Sequence, residues 1–189
     1  MYDVDKEECR NCEGMFFLER KIERLQQQLK IYKYDYLTGL PGRIDFENNF
    51  DNFMNDFEMF GKTFTLCIVD INDLHLINRK HGYKHGDNRI LEVSKNLERI
   101  LPSCSIYRIG GDEFSILTRS TTPNDLCKAI TESNIVDFVS VGCSQPDTNC
   151  RDKSILFKKV DDLVIEDKQR KKVGRINKST KIKSLDISN

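Results

Sequence analysis

Two adjacent carboxylates, Asp112 and Glu113, directly follow a pair of glycines. Apolar segments at residues 105–109 and 114–118 flank them, which predicts a β-hairpin whose tip uses the φ > 0 conformations of the glycines. The carboxylates would lie at the hairpin edge, where their oxygens can hold Mg²⁺. Taken alone, the pattern also fits an ordinary exposed turn, so other acidic residues must decide between the two interpretations.

A further acidic residue ends a predicted central strand. Residues 63–71 form a nearly continuous apolar run with β-branched members, which is typical of a strand covered by helices. Asp70 lies at the end of this run. A strand-end carboxylate that faces hairpin carboxylates is the arrangement by which polymerase-like palms hold metal ions on a triphosphate. Asp70 could also merely end the strand, but the presence of both acidic elements favours a metal site.

Three motifs resemble those of the GGDEF family of diguanylate cyclases, and together they cover most of the chain. Residues 35–43, Asp-Tyr-Leu-Thr-Gly-Leu-Pro-Gly-Arg, are similar to the family's opening signature. Residues 70–78 with Gly-Asp at 86–87 resemble its metal-and-guanine block, and Gly-Gly-Asp-Glu-Phe at 110–114 resembles its name-giving motif. The resemblance implies an α+β fold of the nucleotidyl-cyclase and polymerase-palm type, with a ferredoxin-like core and an N-terminal helical coiled-coil stalk.

The resemblance also implies a reaction, the condensation of two GTP into cyclic di-GMP and two pyrophosphates. Two Mg²⁺ or Mn²⁺ ions per active site would assist the attack of a ribose 3′-hydroxyl on the α-phosphate of the other GTP. The implied metal ligands are Asp70, the backbone carbonyl of Ile71, Asp112 and Glu113, and the three acids are the implied catalytic residues. Since one domain holds one GTP, a homodimer is expected.

GTP-binding residues are implied in the same way. Guanine offers N1–H and N2–H₂ donors that a carboxylate accepts well, and Asp87 and Asn78 stand where the family places the base-binding carboxylate and amide. Asp87 could also cap the helix that follows it. The remaining expected contacts come from a helix N-terminus, the glycine pair and two basic residues near the last helix: Asn72, Asp73, Leu74, His75, Gly110, Gly111, Lys168 and Arg175.

Two departures from the family pattern bear on the expected function. His75 stands where the family usually has Lys, which removes a permanent positive charge near the phosphates. The product-inhibition motif, Arg-x-x-Asp, is replaced by Leu-Pro-Ser-Cys at residues 101–104, so feedback through that site is expected to be absent. His75, together with a connection after the hairpin that looks shorter than is usual for the family, favours the alternative function, a catalytically weak GTP- or dinucleotide-binding regulator that retains the fold.

The N-terminal residues are predicted to form a cysteine-bearing head, 1–14, and an amphipathic helix, 15–36. Apolar residues of this helix alternate at spacings of four and three, as in the seam of a parallel dimer stalk, although a single helix packed on its own domain gives the same pattern. They are Leu18, Ile22, Leu25, Leu29, Tyr32 and Tyr36. Cys9 and Cys12 supply half of a structural Zn²⁺ site that two chains could complete, or they are two free thiols.

The rest of the chain predicts an α+β domain over residues 37–178 with helices over one antiparallel-dominated sheet, followed by a basic flexible tail at 179–189. The expected helices are 43–60, 74–80, 86–101, 122–132 and 152–172, and the expected strands are 63–71, 105–109, 114–118 and 135–143. The tail is interpreted as a solvated end, and its lack of interleaved aromatic residues makes nucleic-acid binding a weaker alternative.

Composition adds only bounds. Lys and Arg number 30 and so do Asp and Glu, so no net charge points to nucleic acid or a membrane surface. No run approaches the ~18 apolar residues of a membrane span, and no signal-peptide pattern opens the sequence, so a cytoplasmic location is expected. Seven cysteines form an odd set, and they are expected to stay reduced without structural disulfides.

Overall fold

The structure is a computed structural model that describes residues 15–25, 33–147 and 152–186, of which 174–186 are described by their backbone alone. Residues 15–25 are helical, and the predicted head with Cys9 and Cys12 lies outside the described residues. The elements of the domain are α1 (Arg43–Phe60), β1 (Thr65–Ile71), α2 (Leu74–His81), α3 (Tyr83–Ile100), β2 (Ser105–Arg108), β3 (Glu113–Thr118), α4 (Pro123–Thr131), β4 (Val139–Ser144) and α5 (Lys153–Asp186).

The four strands form one antiparallel sheet in the order β2-β3-β1-β4, which confirms the predicted α+β fold. β1 lies inside the sheet, and all seven of its residues are buried, as the apolar run predicts. The strand register pairs Asp70 with Glu113 of β3 on one side and with Ser140 of β4 on the other. The strand-end acid and a hairpin acid are therefore direct neighbours.

Two hydrophobic clusters cover the two faces of the sheet. Successive side chains of a strand point to opposite faces, and in β1 Val69 and Ile71 join one cluster while Leu66 and Ile68 join the other. The first cluster is mostly aliphatic and includes residues of α3 and α4. The second includes the phenylalanines of α1 and the apolar residues of α5. The two clusters fix β1, and with it Asp70, between two layers of helices.

The edge strand β4 is held by side chains of α5. The backbone N–H of Val141 donates a hydrogen bond to Oδ2 of Asp167 over 3.1 Å. Lys171 Nζ donates to the carbonyl of Val139 over 2.6 Å and forms an ion pair with Asp167. Polar groups of the edge strand are thereby satisfied by the helix rather than by another strand.

Gly142 allows α5 to lie directly against β4. A Cβ atom at this position would clash with the carbonyl oxygen of Val160 and would lie 2.9 Å from the backbone nitrogen of Val164. The backbone of the helix therefore rests on the backbone of the strand, where any side chain would separate them.

Three element boundaries of the domain differ from the predicted ones by three residues or more. α3 begins at Tyr83 instead of residue 86, because Gly82, at φ 86°, ends α2 and turns the chain directly into the next helix. Asp87 therefore lies inside α3, and its interpretation as a helix cap is wrong. β4 begins at Val139 instead of 135, because the preceding residues form turns. α5 continues past 172 to Asp186.

Candidate active site

The predicted acidic residues lie together at one end of β1. Asp70 is buried, with 7% of its surface exposed, and stands opposite Glu113 in the register. The N–H of Ile71 donates a hydrogen bond to the backbone carbonyl of Asp112 over 2.9 Å, which holds the hairpin against the strand end. The sequence thus correctly placed strand and hairpin acids side by side.

Asp70 is buried beside two further carboxylates, and Lys168 is the cation that contacts it. Burial raises the pKa of Asp70 to about 6, and the charges of Asp112 and Glu113 raise it as well. Lys168 of α5 opposes this shift through a contact of 2.7 Å between its Nζ and Oδ2 of Asp70. A cation added to this end of the sheet would be stabilised by the excess of carboxylates.

The donor set suits a hard divalent cation, but its members do not converge. Carboxylate and carbonyl oxygens are the ligands that Mg²⁺ prefers. Within the described residues, no group of three or more His, Cys, Asp or Glu side chains has the arrangement needed to hold a metal ion. Lys168 engages Asp70, and the Glu113 carboxylate lies over Gly110, where an added Cβ would be 2.7 Å from Oε2. These two side chains must turn for the acids to share an ion.

The glycine pair serves the hairpin in a way that differs from the prediction. Positive φ angles occur among the glycines at Gly39, Gly61 and Gly82, and the expected φ > 0 at Gly110 and Gly111 is wrong. The reason is that four residues, 109–112, connect β2 to β3, so the turn does not require the left-handed region. What Gly110 supplies is room for the Glu113 side chain.

Sequence reasoning assigned no role to the side chains that anchor the hairpin. Arg108 donates from Nη1 to both carboxylate oxygens of Asp35 over 2.9 Å and from Nη2 to the carbonyl of Gly111 over 2.7 Å. Arg43 donates from Nε to the carbonyl of Ile109 over 2.9 Å. Asp35 and Arg43 both belong to the opening motif, so that motif is the signal from which this positioning role could have been found.

The turn between β1 and α2 presents backbone amides beside the acids. Asp73 precedes the helix in the left-handed region, at φ 58° and ψ 24°, which non-glycine residues rarely adopt. The N–H of Asn72 already donates to the carbonyl of Phe138 over 2.7 Å, and its Oδ1 accepts from Ser140 Oγ. A phosphate contact from the backbone amide of Asn72 would require its bond to Phe138 to break. The following backbone amides, up to that of His75, lie at the N-terminus of α2, where anions are favoured.

The predicted base-binding residues lie on consecutive helices. Asn78 of α2 packs against Gly86 of α3 so closely that a Cβ at Gly86 would clash with Oδ1 of Asn78. This Oδ1 is buried and has no hydrogen-bond partner among the described residues. Asp87, the next residue of α3, is exposed. An unpaired buried acceptor beside an exposed carboxylate fits a ligand with N–H donors, because such a ligand would remove the cost of the unpaired atom.

The remaining predicted residues divide into two groups. Lys168 reaches the acids and His75 is exposed at the start of α2. The side chain of Arg175 and the pair Cys9 and Cys12 lie outside what the structure describes. The described site therefore contains an acidic end, a helix N-terminus and a base-binding end, with one lysine among the acids.

Residues 32–172 match the family described as the diguanylate cyclase GGDEF domain. The solved coiled coil and GGDEF domain of DgcB from Caulobacter crescentus, in complex with c-di-GMP, has a TM-score of 0.76 at 21% identity and covers 86% of this chain and 94% of its own. The FimX GGDEF domain from Pseudomonas aeruginosa has a TM-score of 0.68 at 16% identity, over 74% of this chain and 96% of its own. At these identities the likeness shows the fold.

Two curated relatives extend the comparison. An uncharacterized membrane protein of Staphylococcus haemolyticus is 32% identical over 89 residues, which are 47% of this chain and 25% of that protein. An uncharacterized protein from the hutH 5′ region of Streptomyces griseus is 32% identical over 116 residues, 59% of this chain and 48% of that protein. The chain thus spans a quarter to a half of these relatives. In its described part, no helix combines the length and apolar character needed to cross a membrane.

Proposed function

Since the chain belongs to the diguanylate cyclase GGDEF family, we propose that it condenses two GTP into cyclic di-GMP and two pyrophosphates. The observation that carries the proposal is the strand-end acid Asp70, paired in register with Glu113 beside Asp112 and surrounded by excess negative charge. Such a group of acids is stabilised by divalent cations, and a nucleoside triphosphate brings such cations with it. The chemistry would take place in the cytoplasm, where GTP is available.

The residues at the end of β1 are proposed to bind metal ions and phosphate. Asp70, Asp112, Glu113 and the carbonyl of Ile71 would hold two Mg²⁺ or Mn²⁺ ions, which when bound acidify the ribose 3′-hydroxyl and offset charge on the phosphates. Lys168 supplies a positive charge beside the acids that a triphosphate can share.

The base and phosphate contacts complete the proposed site. Asn78 Oδ1 and the Asp87 carboxylate accept hydrogen bonds from guanine, whose N1–H and N2–H₂ groups have no matching pair in adenine. The amides that open α2 donate to the phosphates. His75, with no permanent charge, adds little to phosphate binding at neutral pH.

The reaction requires two such domains, because each binds one GTP. The helix of residues 15–25 exposes Leu18, Ile22 and Leu25, each about half exposed, at the four-and-three spacing of a dimer seam. A parallel stalk would hold two domains at a high effective concentration, of order millimolar for a short tether. We expect removal of residues 1–33 to lower activity at low protein concentration, with recovery as the protein concentration rises. An activity of the truncated protein that is equal to the parent's at every concentration would show that the stalk is not needed.

The test of the function is incubation of the purified protein with GTP and Mg²⁺, with products resolved by mass spectrometry. Cyclic di-GMP and pyrophosphate are expected from GTP and no cyclic product from ATP. The Asp112→Asn variant is expected to form no product, whereas Asp162→Asn, a matched change at an exposed position of α5, is expected to keep the parental rate.

One observation favours a second candidate function, a weakly active GTP- or dinucleotide-binding regulator. Lys168 already engages Asp70, and the acids do not converge on a common point. GTP binding measured by calorimetry, without cyclic product at any protein concentration, would establish the regulator and reject the cyclase.

A further inference from the structure

A pair of thiols lies between α4 and the sheet, separate from the candidate active site. Cys127 of α4 and Cys143 of β4 have their Sγ atoms 2.8 Å apart. Non-bonded carbon atoms rest at ~3.5–4.0 Å, and sulfur is larger than carbon, so no other atom can lie between the two sulfurs. Both residues are free thiols in this structure.

We propose that Cys127 and Cys143 form a reversible disulfide, a redox modification site that joins α4 to the edge strand. Each thiol loses one proton and one electron as the Sγ–Sγ bond forms, and a two-electron oxidant takes up the two electrons and the two protons. With a peroxide of the class of hydrogen peroxide, the O–O bond breaks and two water molecules leave. A dithiol reductant reverses the step by thiol–disulfide exchange.

The geometry requires little rearrangement. A disulfide has an S–S bond of about 2.05 Å, so the two sulfur atoms need to approach by less than about 1 Å. The elements that carry them already pack together, because α4 and β4 share one hydrophobic cluster. The bond would close a sequence separation of 16 residues.

An open cavity of about 430 Å³ gives small oxidants access to the pair. Both cysteines line it, together with Arg170 and Glu166 of α5. Cys127 is half-buried and Cys143 is 8% exposed, so an oxidant reaches Cys127 first and Cys143 closes the bond. The other thiols of the same core are less suited: Cys67 is fully buried, and Cys104 does not line this cavity.

Reactivity at rest is low. The hydrogen bond to Cys143, together with burial, raises the pKa of the Cys127 thiol, so little of the reactive thiolate is present at neutral pH. The disulfide is therefore expected to form only under sustained oxidation, and the test uses incubation for hours.

The experiment treats the full chain with diamide, a diazene that takes up two electrons and two protons, or with dithiothreitol. Free thiols are then blocked with N-ethylmaleimide, and the protein is digested with trypsin and Asp-N. This digestion separates Cys143 from Cys150, because Asp147 lies between them. Mass spectrometry should find peptide 125–128 linked to peptide 137–146 in the oxidised sample alone.

Two variants and one stability measurement complete the test. Cys127→Ser should lose the cross-link, and the matched control Cys104→Ser should keep it. Oxidation should raise the midpoint of thermal unfolding of the parent by on the order of 5–10 °C, because the disulfide restricts the unfolded chain. The cross-link on the parent chain decides the proposal without either variant. Its absence after diamide treatment, or a Cys143 linked to Cys67 instead, would overturn it.

Discussion

Asp70 and Asp167 are both buried carboxylates, but their surroundings differ. Asp167, 5% exposed, accepts a hydrogen bond from the Val141 amide and pairs with Lys171. Burial by itself would raise the pKa of Asp167, but these partners lower it. Asp70 has Lys168 and two neighbouring acids, and burial raises its pKa. A buried carboxylate whose charge is balanced by hydrogen-bond donors and cations stabilises a fold. A buried carboxylate that lies beside further carboxylates is suited to binding a cation.

The same helix supplies a lysine partner to each acid, Lys171 to Asp167 and Lys168 to Asp70. Asp167 and Lys168 are consecutive residues of α5, and Asp167 faces the edge strand while Lys168 reaches the end of β1. The helix thereby stabilises the sheet with one residue and places a charge at the candidate active site with the next. Substitutions at these positions should separate the two roles.

The largest expected effect comes from Asp70→Asn. Loss of this charge from the proposed metal site should lower cyclic di-GMP formation by at least roughly 10²–10³-fold. The free energy of unfolding should not fall, because the raised pKa of Asp70 means that its ionised form is unfavourable in the folded state, and Lys168, with 42% of its side chain exposed, can be solvated once unpaired. Product measured by mass spectrometry and urea unfolding check the two parts. Turnover at the parental rate would show that Asp70 holds no metal. Asp70 and Asp167 would then not differ in function as proposed.

The next effect concerns Lys168→Gln. If Lys168 shares its charge with a triphosphate, the KM for GTP should rise by roughly 10- to 100-fold, which corresponds to the loss of one charge-assisted hydrogen bond of about 1.5–3 kcal/mol. Initial rates over a range of GTP concentrations measure this. Lys172→Gln, at an exposed position on the same helix, is the matched control and should keep the parental KM. An unchanged KM in the Lys168 variant would limit this lysine to its contact with Asp70.

Asp167→Asn should act on stability. The substitution removes a charge that pairs with Lys171 and accepts from the edge strand, so the free energy of unfolding should fall by about 1–3 kcal/mol. Turnover per folded molecule should stay within a few-fold of the parent's. Urea unfolding at neutral pH, with the exposed Asp162→Asn as control, measures the difference. A variant as stable as the parent but inactive would reverse the roles assigned to the two aspartates.

The smallest effect is the pH dependence of that loss. Because the pKa of Asp167 is lowered in the folded state, its ionised form stabilises the protein above the unfolded-state pKa of ~3.9. This contribution disappears as the pH falls through the lowered folded-state pKa. The stability difference between parent and Asp167→Asn should therefore be complete at neutral pH and shrink below about pH 4. Urea unfolding of both proteins at several pH values measures this difference. If the difference stayed constant with pH, the charge of Asp167 would not be the source of its stabilising effect.

Local patterns predicted most of the fold and half of the site. The helix Arg43–Phe60 and the buried strand through Ile71 follow from apolar spacing, and two motifs place Asp70 near the hairpin acids. The contacts of Asp167 could not be predicted, because they depend on how α5 lies across β4, a packing that no local spacing encodes. The short distance between Cys127 and Cys143 could not be predicted either, because it also depends on how separate elements pack.

Gly142 has a consequence for which substitutions the protein can tolerate. Val164, whose backbone lies against Gly142, precedes Lys168 by about one helical turn. A methyl group at position 142 would push α5 outward and carry Lys168 away from Asp70. Among functional variants of this chain, position 142 should therefore admit glycine alone, whereas position 111, where an added Cβ meets nothing within 4 Å, is sterically open. A residue without a side chain, remote from the chemistry, thereby limits how the sequence can change.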